Sequence, residues 1–160
     1  MNRSLTLRSF VKLTFIALLG LGLGSKAMAQ SKTLLNVDKN GVAVQGYDPV
    51  GFFTDGKPVK GDAQFASSYK GATYQFSSAE HKAAFDKEPG KYEPQFGGYC
   101  AYGVSRNKTV PIEVDAFQIV GGRLLLQYDK GIRDKFNKDT AGNLKLADAN
   151  WPGLVASKGK

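Results

Sequence analysis

Two stretches of the chain are each folded back on themselves by a two-residue turn. "QFASSYKGATYQF" (Gln64 to Phe76) breaks at Lys70-Gly71, and "AFQIVGGRLLLQY" (Ala116 to Tyr128) breaks at Gly121-Gly122. Aromatic and branched residues flank both breaks, the pattern of a β-hairpin with a tight turn. A lone hairpin is marginal in water, so each needs a helix to cover its apolar face. Helix signals follow both. Ser77 with Glu80 three residues on predicts a capping box at the head of "SSAEHKAAFDKEP", and Pro89 ends that helix. Asp129 caps a second helix through Ile132 and Phe136. The order hairpin, helix, loop, hairpin, helix predicts a small α+β single domain, two β-hairpins packed with two or three short helices.

The rest of the chain adds shorter pieces. "VAV" (Val42 to Val44) and "VGFF" (Val50 to Phe53) read as short strands, with a hairpin-type Asp55-Gly56 pair after them. Phe76 and His81 have the spacing of a hydrophobic staple. "NLKLADANWPGL" reads as a further short helical piece. No internal repeat is visible in the residues.

Residues 1–29 carry a basic start (Arg3, Arg8, Lys12), an apolar run from Leu13 to Gly24 and a small-x-small site at Ala27-Met28-Ala29. This is the pattern of a secretory signal peptide, too short in its apolar run for a spanning helix. The expected organisation is a signal at 1–29, a flexible lead-in at 30–40, a domain at 41–155 and a solvated tail at 156–160. The expected location is periplasmic or secreted, with no transmembrane segment after cleavage. Of 22 basic residues four lie in the signal, leaving 18 against 14 acidic ones and a net charge of about +4. Those charges are mixed in sign along the chain, without the basic stripe that nucleic-acid binding requires.

Cys100 is the sole cysteine, His81 the sole histidine, and both methionines fall in the signal. This count excludes a disulfide scaffold and a four-ligand structural zinc site within one chain. An unpaired cysteine in an oxidising compartment stands out. It sits in "GGYCAYG" (Gly97 to Gly103), where a short helical turn starting after Cys100 would place the thiol at a helix N-terminus. His81, at the start of a helix, is a second candidate for chemistry. Tyr47, Tyr74, Tyr99 and Tyr102 are candidates to line a ligand pocket. Three readings stay open: thiol-redox chemistry at Cys100, a soft-metal module using Cys100 and His81, and a ligand-binding domain with an inert cysteine.

The run "YKGATYQFSSAEHKAAFDKEPGKYEPQFGGYCAYGVS" resembles the YHS-domain family, through Tyr74, Phe76, Ser78, Phe85, Pro89, Lys91 and Tyr92. "GYDPVGFFTDGKPVKG" before it and "ADANWP" after it are similar to the exported single-domain branch, and the likeness spans roughly Gly41 to Trp151. It implies a link with metal handling, copper above all, with a redox or metal-delivery partner, and a redox or soft-metal role for Cys100. The position matching Cys100 is selenocysteine in some exported relatives. Metal-associated members carry a cysteine pair where this chain has Ser77 and Glu80 or His81, so the resemblance does not transfer tight copper binding.

Overall fold

The computed structural model describes residues 32–160; the expected export signal lies outside the described residues. In chain order the elements are α1 (Gly51–Thr54), β1 (Asp62–Tyr69), β2 (Ala72–Phe76), α2 (Ala79–Lys87), α3 (Pro89–Tyr92), α4 (Ala101–Ser105), β3 (Glu113–Val120), β4 (Arg123–Gln127), α5 (Lys130–Asn137) and α6 (Thr140–Lys158). The strands form two separate antiparallel pairs, β1 with β2 and β3 with β4. The fold is α+β, as the residue pattern predicts.

The two pairs are copies of one design. β1 and β2 pair Asp62 with Phe76, shift register by a bulge, and then pair Ala66 with Gln75 through Tyr69 with Ala72. β3 and β4 do the same 51 residues later, from Glu113 with Gln127 to Val120 with Arg123. Both turns hold two consecutive residues at positive φ, Lys70-Gly71 and Gly121-Gly122, the backbone that matches strand twist. The helix caps fall at matching places: Ser78 accepts from the His81 amide, Asp129 from that of Ile132. Ahead of each hairpin, three residues in a row take positive φ, Val44-Gln45-Gly46 and Phe96-Gly97-Gly98. Each triplet leads into a G-Y-x-x-x-G loop and a short helix, α1 or α4. Equivalent backbone bonds tie each loop down, Asp48 N–H to Val59 O at 2.9 Å and Cys100 N–H to Val110 O at 3.0 Å. The chain therefore builds one backbone arrangement twice, with a first repeat over about 42–88 and a second over about 94–138. The residues hide it because the repeats share backbone geometry and little more than the glycines and tyrosine of that loop.

Several expectations are corrected. Val50 to Phe53 belongs to a helical turn and not a strand, because the Asp48 carboxylate holds the Val50 and Gly51 amides at 2.8 and 3.3 Å. The cap of α2 is Ser78, since Ser77 turns its hydroxyl to Asp48 at 2.7 Å. Asp48 also takes His81, so Phe76 packs on Phe85 instead, with ring centroids 5.0 Å apart. The short C-terminal piece is a helix of 19 residues that runs through Pro152. Its packing outweighs the break expected before proline: Asn150 donates to the Val104 and Ser105 carbonyls, and Trp151 meets Phe96 edge-on at 5.9 Å. The segments expected to be loose are paired with each other, Thr33 and Lys160 exchanging both backbone hydrogen bonds.

The main core joins the repeats. Phe52, Tyr74, Phe76 and Phe85 from the first meet Cys100, Val114, Leu124 and Leu126 from the second, and Phe52 packs on Phe117 at 4.8 Å. A second cluster places α6 against α4 and α5 through Ala101, Val104, Phe136, Ala147 and Leu154. This puts the Cys100 loop beside the last helix. Among the described residues, no helix is long and apolar enough to cross a membrane.

Candidate functional site

The two G-Y-x-x-x-G loops each present a side chain to a ring of backbone N–H groups. In the first repeat that side chain is Asp48, fully buried. One carboxylate oxygen accepts from the Val50 and Gly51 amides. The other accepts from the Ser77 amide at 2.9 Å, the Ser77 hydroxyl at 2.7 Å and His81 Nδ1 at 2.6 Å. Burial pushes the carboxyl up, and these bonds more than offset it, leaving Asp48 below the usual carboxylate value. His81 Nε2 lies 3.4 Å from the Thr54 hydroxyl. The imidazole is thus fixed at both ends and closes the recess over its carboxylate.

In the second repeat the same place is held by Cys100. Its sulfur accepts from the Gly103 amide at 3.4 Å, the counterpart of the Gly51 bond, and its thiol donates to Gln127 Oε1 at 3.3 Å. That Gln127 oxygen also accepts the Tyr102 amide at 3.0 Å, the counterpart of the Val50 bond. One carboxylate's work is divided here between a sulfur and an amide. Cys100 is 1% exposed. Burial pushes its thiol up, and the N–H groups of Gly103, Tyr128 and Tyr102 offset this only in part. The resting group is a neutral thiol, as the helix N-terminus alone would not have predicted.

Where His81 closes the first recess, the second has Ile132 and stays open. The result is a cavity of about 260 Å³ lined by Cys100, Tyr102, Gly103, Val110, Tyr128 and Ile132, with Arg106 and Lys108 also on its wall. Its floor is buried at Cys100 and Gly103, and its mouth is exposed at Arg106, Lys108 and Tyr128. Of the four tyrosines expected to line a pocket, Tyr102 lines this one. Tyr74 is buried against Phe85, Tyr47 lies under the Lys60 ammonium, and Tyr99 bonds the Leu35 carbonyl and lines a different cavity. The lining residues missed in the sequence are Arg106, Lys108, Val110, Tyr128 and Ile132. Position 100 matches 48 through the shared loop pattern, and position 132 matches 81 through the hairpin register and helix caps; nothing in the residues singles out Arg106, Lys108, Val110 or Tyr128.

The candidate metal ligands fall in separate networks. Cys100 bonds Gln127 and Gly103, whereas His81 bonds Asp48, Ser77 and Thr54. The cavity wall offers Cys100 no histidine or carboxylate, and among the described residues no three His, Cys, Asp or Glu side chains gather as a metal site. Soft-ion sites are built from thiolate, thioether and imidazole ligands, and Cys100 has none of these beside it, so the donor set around Cys100 does not fit copper.

Compared with known families, the chain matches the YHS domain over residues 50–95, a narrower span than the expected 41–155. No curated protein and no solved structure matches it. The match covers the body of the first repeat and ends before Cys100. Residues 50–95 match the YHS domain, a stretch that takes in most of the first hairpin-and-helix repeat.

Proposed function

We propose that the protein is a small-molecule binding module whose site is the cavity above Cys100. The observation that carries this reading is an apolar recess with a buried floor and an exposed mouth, the form of a ligand site. It has room for roughly eight water-sized groups, taking about 30 Å³ for each. The cysteine supports it as a neutral floor that offers sulfur to an apolar guest. The export signal read in residues 1–29 supports a periplasmic or secreted location for this activity.

The test uses toluene and indole as probes. Either raises the thermal midpoint of the wild-type chain, and neither does so in Ile132→Trp, where the new ring fills the recess. Val110→Phe serves if the first variant does not fold. No shift with the wild type, or an equal shift with a filled cavity, sinks the reading.

Thiol-redox chemistry is the second reading, favoured by the sulfur's place in the cavity wall. A peroxide entering there would convert the thiol to a sulfenic acid and release water. A neutral buried thiol makes this slow, because the thiolate is the nucleophile. Peroxide treatment followed by mass measurement decides it: one added oxygen on Cys100 in the native protein supports the reading, and an unmodified thiol rejects it.

A further inference from the structure

The charges around the cavity narrow what it would hold. Three arginines lie among the described residues. Arg123 pairs with Asp148 at 2.6 Å and Arg133 approaches Asp134 at 3.9 Å. Arg106, at the cavity, has no carboxylate within 4 Å among the described residues, and neither has Lys108. Arg106 is nonetheless held in place. One guanidinium nitrogen donates to the Tyr102 hydroxyl at 3.2 Å and to Asn143 Oδ1 at 3.4 Å, and the group lies over the Tyr102 ring at 4.8 Å. An arginine fixed on one edge keeps its other donors oriented, and a guanidinium presents a fork that matches a carboxylate.

Asp129, engaged in capping α5, raises the Cys100 thiol through its charge. Negative charge near the floor and unpaired positive charge at the mouth set a direction. An anionic group belongs at Arg106 and Lys108, and hydrocarbon belongs at Cys100, Val110 and Ile132.

We propose that the ligand is a small monocarboxylate with an aromatic or branched hydrocarbon body, its carboxylate held by Arg106 and Lys108. This rests on the binding reading above and adds the chemical class. Neutral guests satisfy the cavity alone; only an acid satisfies the cavity and both cations.

The test titrates the full chain with benzoate and with benzyl alcohol, which matches it closely in size without the charge. Benzoate binds at least tenfold more tightly. In Arg106→Gln combined with Lys108→Gln that advantage disappears, while benzyl alcohol binding stays within twofold of wild type. Thermal midpoints of the free variants are measured alongside, because cations also suit the C-terminal end of α4. If benzyl alcohol equals benzoate in the wild type, or benzoate is indifferent to the paired variant, the class is wrong although the cavity binds. Benzoate binding that persists in Ile132→Trp lies outside the cavity and overturns the proposal as well. If toluene, indole and both of these probes all fail to bind, the binding reading falls and the class with it.

Discussion

The two repeats answer one structural problem in opposite ways. Each G-Y-x-x-x-G loop leaves N–H groups that need an acceptor. The first repeat supplies a carboxylate, Asp48, and seals it with a histidine. The second supplies a thiol and an amide oxygen, Cys100 and Gln127, and leaves the space above them open. The first recess is charged, filled and built for rigidity. The second is neutral, apolar and built with room. Of two repeats with one backbone, the first carries the sealed, charged recess and the second the open, apolar one. The YHS match falls on the copy without the cavity.

The comparison predicts unequal sensitivity at equivalent positions. The largest effect belongs to Asp48→Ala. It removes the acceptor for two loop amides and for Ser77, and strands the His81 side chain. Each buried donor left without its acceptor costs about 1–3 kcal/mol, so the total is about 3 kcal/mol or more, read as a lower denaturant midpoint at unchanged slope. A cost below about 1 kcal/mol would mean that the first recess is no more structural than the second.

Next is His81→Ala, which leaves the buried carboxylate its other donors and costs about 1–3 kcal/mol for the one it loses. A related measurement varies pH. The folded Asp48 carboxyl lies below its usual value, so its stabilisation is fully present above the unfolded value of about 4 and is lost as pH falls through the folded one. The unfolding midpoint of the wild type therefore drops on acidification below about pH 4. Asp48→Asn, already destabilised, shows a smaller drop. Equal acid sensitivity in both proteins would assign the effect to other carboxylates.

The residues made much of the fold legible, and for local reasons. A two-residue turn between apolar runs and an Asp or Ser before a helix act within a few positions, so both hairpins and both covering helices were readable. The length of α6 was not, because what carries it past Pro152 is contact with Phe96, Val104 and Ser105, all distant in sequence. Cys100 stood out by rarity, yet its neutral state depends on Gln127 and on burial, which no neighbour in "GGYCAYG" announces. His81 read as a partner for Phe76 or Cys100. Its true partner, Asp48, lies 33 positions earlier in the chain, and nothing beside His81 announces it. The repeat itself lies in backbone register and φ values, and these recur with little more than the loop's glycines and tyrosine in common.

The smallest expected effect tests the second recess directly. Cys100→Ser replaces the sulfur with a hydroxyl that can still accept from the Gly103 amide and donate to Gln127, through a shorter reach. The floor of an open cavity also tolerates a change in volume better than a sealed core, where neighbours lose contacts they cannot replace. The cost is therefore about 1 kcal/mol or less, well under that of Asp48→Ala at the matching position. Toluene should bind the serine variant somewhat more weakly, since a hydroxyl is a poorer apolar floor than a thiol. A loss at Cys100 as large as the loss at Asp48 would show that the sulfur carries the second repeat as the carboxylate carries the first. The open space above it would then be incidental to a structural residue.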